Sequence, residues 1–223
     1  MSDVAIVTGS SSGLGLAFTE RLTAAGIQVV GVSRRANPNP FQGVHQVLGS
    51  VADQETVDEA FRIAESIGTL RLVINCAGQG VFGDVGEYSV AEIRAAVEGN
   101  LIGLIAFTDR AVSSMKGTGG DIVNVMSTAS KRLRTAESVY TAAKWGAKAY
   151  TRTVRDFLKG AKIPIRVFEV YPCGMNTKFW ADAIRPITDG RVFPQAGPIA
   201  DAVLAAVSQK SDSYQLELIF ERS

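Results

Sequence analysis

The chain has 223 residues, a formal net charge of +1, 46% hydrophobic residues, two cysteines and one histidine. That length reads as one domain able to bury about 70–75% of the surface its unfolded form exposes, so the core needs no staple. The near-neutral balance argues against a dedicated nucleic-acid or membrane-surface binder. Cys76, Cys173 and His45 are too few and too scattered for structural zinc.

Taken in chain order, short branched runs alternate with longer amphipathic ones. VAIVT (4–8) reads as a strand leading through a glycine-rich turn into a helix over 13–25. IQVVGVS (27–33) and VHQVL (44–48) read as strands, separated by the loop RRANPNPFQG (34–43), and a helix follows over 54–66 with Asp53 at its N-cap. LRLVIN (70–75) is the next strand, and a long helix over 90–115 begins at Ser89, with Glu92 completing a capping box. DIVNVM (121–126), a helix over 138–158, IRVFEVY (165–171), a loop over 185–198, a helix over 199–209 and YQLELIF (214–220) complete the pattern. Several strands are apolar at consecutive positions, as strands covered on both faces must be. The expected fold is α/β: a single-domain, Rossmann-type doubly wound parallel sheet of about seven strands, helices on both faces.

No signal peptide precedes the first strand, and no apolar run approaches the roughly 18 residues of a membrane span. The expectation is a reduced, soluble, cytoplasmic protein without a metal. There is no G-x-S-x-G elbow, so a Ser-His-Asp machine would have to take His45 as its base.

VTGSSSGLG (7–15) follows the first strand and opens the first helix. Gly9, Gly13 and Gly15 allow a sharp turn and close backbone approach, and the free N–H groups of a helix start favour a phosphate. A tight connection alone would also explain the glycines, whose spacing departs from G-x-G-x-x-G. In dinucleotide folds an acid ending the second strand takes the ribose 2′-hydroxyl, yet no Asp or Glu occurs between Glu20 and Asp53. The strand ends instead in Ser33-Arg34-Arg35, and guanidinium groups bind a 2′-phosphate with charge-assisted hydrogen bonds. The reading is NADP(H), against two solvated arginines in a loop.

Tyr140 and Lys144 lie one helical turn apart on one face, where an ammonium stabilises a phenolate. Alone, that pair reads as a surface coincidence more readily than as a site, since both residues are common on helices. Ser127 falls at the carboxyl end of DIVNVM, where open α/β sheets bind ligands, and NCAG (75–78) and YPCGMNT (171–177) end neighbouring strands at the same edge.

With these residues the chain resembles the short-chain dehydrogenase/reductase family over nearly its whole length. Thr8 to Gly15 match T-G-x-x-x-G-x-G; Asn75, Ala77 and Gly78 match N-x-A-G; Ser127 and Tyr140 have the spacing of the catalytic serine and Y-x-x-x-K; Asn100 matches the helix-borne asparagine. The resemblance implies that Ser127 holds a substrate carbonyl, Tyr140 donates its proton, and Lys144 lowers the tyrosine pKa and binds the nicotinamide ribose. Asn100 would hold a water linking Lys144 to solvent. The implied cofactor site comprises Gly9, Ser11, Ser12, Gly13, Leu14 and Gly15 at the turn, and Ser33, Arg34 and Arg35 at the 2′ end. It continues through Ser50 and Val51 near adenine, Asn75, Ala77 and Gly78, Tyr140 and Lys144, and Pro172, Cys173, Met175 and Thr177.

Three features depart from the family or leave a choice. Ser50 stands where an acid is usual, and Cys173 where a glycine is. Gly99 and Gly103 flank Asn100 inside a helix, where they mark either a kink that frees a carbonyl or close helix packing. Phe179, Trp180, Gln79 and Phe82 are candidates to line a substrate cleft for an apolar ketone, aldehyde or quinone, under a modest insert over about 178–198. Arg132 and Arg134 would instead suit an acidic substrate. The two cysteines read as small hydrophobes rather than reactive thiols. The resulting expectation is an NADP(H)-dependent carbonyl reductase or alcohol dehydrogenase, acting as a homodimer or homotetramer. A non-catalytic NADP(H) sensor or scaffold on the same fold is the alternative.

Overall fold

The structure, a computed structural model, describes residues 2–37, 42–133, 135–186, 193–209 and 214–222. Part of the 34–43 loop, Arg134 and the middle of the 185–198 loop lie outside the described residues.

Seven strands form one sheet: β1 (Asp3–Thr8), β2 (Gln28–Ser33), β3 (Val44–Leu48), β4 (Thr69–Asn75), β5 (Gly120–Val125), β6 (Ile165–Tyr171) and β7 (Glu217–Ile219). Their order is β3-β2-β1-β4-β5-β6-β7, and every pairing is parallel. The chain winds outward from β1 through β2 and β3, then returns to β4 on β1's other side. This reversal opens a crevice at the carboxyl ends of β1 and β4. Register aligns that edge: Thr8 pairs with Asn75, and Asn75 with Asn124.

The helices are α1 (Gly13–Ala24), α2 (Gln54–Ile67), α3 (Val90–Val97), α4 (Gly103–Met115), α5 (Ser138–Gly160) and α6 (Ala196–Ser208). Because successive strand residues face opposite sides, β1 feeds two cores. Ala5 and Val7 pack with Leu14 and Phe18 of α1 and Ile199 and Val203 of α6. Val4 and Ile6 pack with Phe61 of α2, Phe107 of α4 and Leu158 of α5. Consecutive apolar runs in β1 and β2 are thus explained by burial on both faces.

Most expected elements appear within a few residues, with three differences. The helix expected over 90–115 is interrupted by a π-helical turn, Glu98–Ile102, where the Gly103 N–H donates to the Glu98 carbonyl five residues back. A Cβ on Gly103 would lie 2.3 Å from Val51 Cγ2, so Gly103 serves close packing, whereas nothing comes within 4 Å of one on Gly99. The close-packing reading therefore holds for Gly103. The last helix starts earlier, at Ala196, with Pro198 in its first turn, where a missing N–H leaves no intrahelical bond unmade. The final strand is shorter than expected, Glu217–Ile219, and Tyr214 before it packs on Phe168 at 5.4 Å between ring centroids.

The Ser89 capping box forms: Glu92 N donates to Ser89 Oγ at 3.3 Å, and Ser89 N to Glu92 Oε2 at 2.8 Å. Arg185 joins it at 2.8 Å, and hydrogen bonding from Arg185 first, then from Ser89, holds the Glu92 carboxyl down to about 2. Asp53 occupies the expected N-cap, but its side chain makes no capping bond.

Candidate active site

The turn after β1 is built from three steric needs. Gly9 has φ +72, and a Cβ there would lie 3.0 Å from the Ala77 backbone. A Cβ on Gly15 would stand 2.2 Å from the Gly9 carbonyl oxygen, so only glycine lets α1 start so close beneath the turn. A Cβ on Gly13, at φ +55, would lie 3.3 Å from the Thr177 side chain, so the segment after β6 passes close over the turn. Thr8 Oγ1 accepts from the Cys76 and Ala77 N–H groups at 3.0 Å each, tying the ends of β1 and β4 together.

One crevice runs along this edge. Its nucleotide end is lined by Gly9, Ser11, Ser12, Gly13, Leu14, Gly15, Ser33, Arg34, Arg35, Ser50 and Val51. Its other end is lined by Ala77, Gly78, Ser127, Tyr140, Lys144, Pro172, Cys173, Met175 and Thr177. Two expected site residues stand behind the wall, buried: Asn75 and Asn100. Asn75 Nδ2 donates to Thr108 Oγ1 at 2.9 Å and to Asn124 Oδ1 at 2.8 Å, and Asn124 Nδ2 donates to Thr151 Oγ1 at 2.9 Å. This polar thread fixes β4, β5, α4 and α5 against one another beneath the site.

Asn100, on the π-helical turn, clamps the segment after β4. Its Nδ2 donates to the carbonyls of Gln79 (2.8 Å) and Ala96 (2.9 Å), and its Oδ1 accepts the Gln79 N–H at 3.3 Å. A Cβ on Gly78 would lie 2.8 Å from Asn100 Oδ1 and 3.5 Å from Lys144 Nζ, so Gly78 is the seam between those two groups.

Tyr140 and Lys144 are no surface accident. They belong to the buried face of α5, which continues through Ala147, Thr151 and Leu158 at helical spacing. Tyr140 is 7% and Lys144 4% exposed, and both line the crevice. Lys144 Nζ donates to the Val125 carbonyl at 3.0 Å and lies 5.9 Å from the Tyr140 ring centroid. Burial lowers the Lys144 pKa to about 8, opposed by the Cys76 sulfur. Burial pushes the Cys76 thiol up to about 12 despite the nearby ammonium, and it raises Cys173 as well, so at neutral pH both are poor nucleophiles. Ser127 Oγ accepts the Ala129 N–H at 3.1 Å, which orients the hydroxyl at the head of a single 3₁₀ turn, Thr128–Ser130.

Opposite Tyr140 stands an aromatic wall. Phe179 meets the Tyr140 ring edge-on at 5.7 Å; Phe82 stacks on Trp180 at 5.6 Å, and Trp180 on Phe193 at 5.0 Å. Gly174 makes room for it, since a Cβ there would lie 2.5 Å from Phe193. Phe179, Trp180, Phe82 and Gln79 were legible as cleft candidates. Glu98, Glu137 and Asp182 also line the crevice and were not foreseen, because no motif or spacing marks those positions. Arg132 is engaged by Glu221 rather than turned to the crevice.

At the nucleotide end, Ser33 Oγ donates to the Arg35 carbonyl at 2.6 Å. Arg34 Nη1 donates to Gln79 Oε1 at 3.4 Å, and Arg35 pairs with Asp182 at 2.5 Å. Ser50 Oγ accepts the Ala52 N–H at 3.2 Å, so it is partly committed to its own turn. A nucleotide could be held here: glycine backbone at a helix start can take a phosphate group, and guanidinium groups stand at the end of β2.

A parallel sheet reversing at β1, a glycine turn beneath it and Ser127, Tyr140 and Lys144 at its edge define a nucleotide-dependent oxidoreductase class. Residues 3–186 match the short chain dehydrogenase family, and the chain belongs to it. It is 30% identical over 217 residues to an uncharacterized oxidoreductase of Staphylococcus aureus strain MW2, covering 93% of this chain and 92% of that protein. It is 29% identical to a farnesol dehydrogenase of Aedes aegypti, covering 90% and 88%. Among solved structures, an alcohol dehydrogenase from Thermococcus sibiricus complexed with 5-hydroxy-NADP superposes with a TM-score of 0.84 at 26% identity, covering 99% and 96%. A short chain dehydrogenase from Burkholderia cenocepacia in complex with NADP superposes with a TM-score of 0.82 at 27% identity, covering 99% and 89%.

Proposed function

We propose that this oxidoreductase uses NADP(H) to interconvert a carbonyl and an alcohol, with Tyr140 as acid and base. The observation that carries the reading is the convergence of Ser127, Tyr140 and Lys144 on the crevice that also holds the glycine turn and the two arginines. When bound, the reduced cofactor supplies the hydride. Ser127 Oγ donates a hydrogen bond to the carbonyl oxygen, and the Tyr140 hydroxyl gives that oxygen its proton. Lys144, charged at neutral pH, stabilises the phenolate left behind and holds the nicotinamide ribose. Asn100 keeps the Gly78–Gln79 segment beside Lys144, where a water can return the proton from solvent.

NADP(H) rather than NAD(H) is supported by Arg34 and Arg35 on the crevice and by the missing acid at the end of β2. The 5-hydroxy-NADP and NADP bound in the two solved relatives point the same way. The aromatic wall favours an apolar ketone, aldehyde or alcohol, consistent with a relative named for farnesol. The working assembly is a cytoplasmic homodimer or homotetramer of one-domain subunits, and Phe179 and Trp180 stand on the substrate side. The test is NADPH oxidation across a panel of carbonyl compounds with wild type and Tyr140→Phe. Tyr140→Phe is expected to lose about 10²–10⁴-fold in turnover while binding NADPH as wild type does. Full reductase activity without the ring oxygen rejects the reading.

A further inference from the structure

Asp182 brings a carboxylate into the nucleotide end of the crevice from a segment that also carries Phe179 and Trp180. Its Oδ2 is 2.5 Å from Arg35 Nη2, across 147 positions of sequence. The ion pair is not what places it. The Asp182 N–H donates to the Lys178 carbonyl at 2.8 Å, and the Ile184 N–H to the Gly80 carbonyl at 2.9 Å. Gln79 Nε2 donates to the Asp182 carbonyl at 2.9 Å. Backbone bonds on both sides hold the main chain of this residue beside the guanidinium, which keeps its carboxylate within reach of Arg35.

Resting on the NADP(H) reading, we propose that Asp182 is a specificity-determining residue that opposes Arg35. A 2′-phosphate approaching Arg35 must displace the carboxylate or lie beside it, and like charges at that range repel. A ribose 2′-hydroxyl carries no charge and meets no such penalty. Arg35 thus recruits the phosphorylated cofactor while Asp182 limits how tightly it is held. Gln79, which touches both Arg34 and Asp182, joins this balance to the loop beneath the substrate wall. The two side chains are 65% and 36% exposed, so water and salt screen the effect.

The test compares dissociation constants of NADPH, NADH and adenosine 2′,5′-bisphosphate for wild type and Asp182→Asn, by calorimetry at low and high salt. The amide keeps the shape of the side chain, and Asp182→Ser is the second variant if it disturbs the segment. Expected is a two- to five-fold tightening for both 2′-phosphorylated ligands, no change for NADH, and a smaller effect at high salt. Unchanged or weaker NADPH binding overturns the proposal. So does selective weakening of NADH, which would make Asp182 an acceptor for the ribose hydroxyl. The two readings fail differently. If wild type itself shows no preference for NADPH and Arg35→Ala alters neither cofactor, the NADP(H) assignment falls. If the preference exists and Asp182→Asn leaves it untouched, only the role of Asp182 falls.

Discussion

Replacing Lys144 with methionine separates what a buried ammonium does for chemistry from what it does to the fold. Lys144 is 4% exposed, and burial lowers its pKa from 10.5 to about 8. That difference amounts to about 3 kcal/mol against the charged form. Methionine fills a similar volume without charge but leaves the Val125 carbonyl without the donor now at 3.0 Å, a loss of about 1–3 kcal/mol. At pH 7 the variant is therefore expected to range from equal stability to about 2 kcal/mol more stable, a rise in Tm of up to about 8 °C. Between pH 8 and 10.5 the native protein has released a proton that the unfolded chain still holds. Wild-type stability consequently rises with pH relative to the variant through that window. Paired urea melts from pH 7 to 10.5 should show the difference moving by about 3 kcal/mol toward wild type. The comparison cancels packing changes and every titrating group not coupled to Lys144, Cys76 being the one that is. A difference flat with pH refutes the claim that Lys144 is a costly buried cation, and full reductase activity in the variant refutes its chemical role.

Other perturbations probe the remaining parts. Arg34→Ala combined with Arg35→Ala should weaken NADPH by about 1.5–3 kcal/mol per lost charged hydrogen bond while NADH changes far less; equal losses in a binding titration would reject the phosphate clamp. Gly15→Ala drives a methyl to 2.2 Å from the Gly9 carbonyl; strain of about 1–3 kcal/mol should appear as a lower urea midpoint, together with loss of NADPH binding. Glu169, fully buried, pairs with Arg155 at 2.8 Å and Arg152 at 3.3 Å and accepts from the Tyr171 hydroxyl. Glu169→Gln should lower stability by about 2 kcal/mol, less than a wholly buried pair would lose because Arg152 is 44% exposed. A melt indistinguishable from wild type would show that network to be stabilising nothing.

The alternation of branched runs and amphipathic helices, the glycine turn and the Ser127-Tyr140-Lys144 order were legible in the chain because each is local or has fixed spacing. So were the fold class and the family, and Ser89 with Glu92 predicted the capping box that forms. Other outcomes depended on segments distant in sequence. The close approach that requires glycine at position 103 comes from Val51, more than fifty positions earlier in the chain. Asn75 and Asn100 share motifs with crevice residues, yet their side chains turn to Thr108, Asn124, Gln79 and Ala96 behind the wall. The meeting of Asp182 with Arg35, and of Phe193 with Trp180, came from irregular chain whose position no periodicity encodes. Spacing reports which residues share a helix face or a strand end; only the folded chain decides which side chain reaches across to oppose a charge or close a wall.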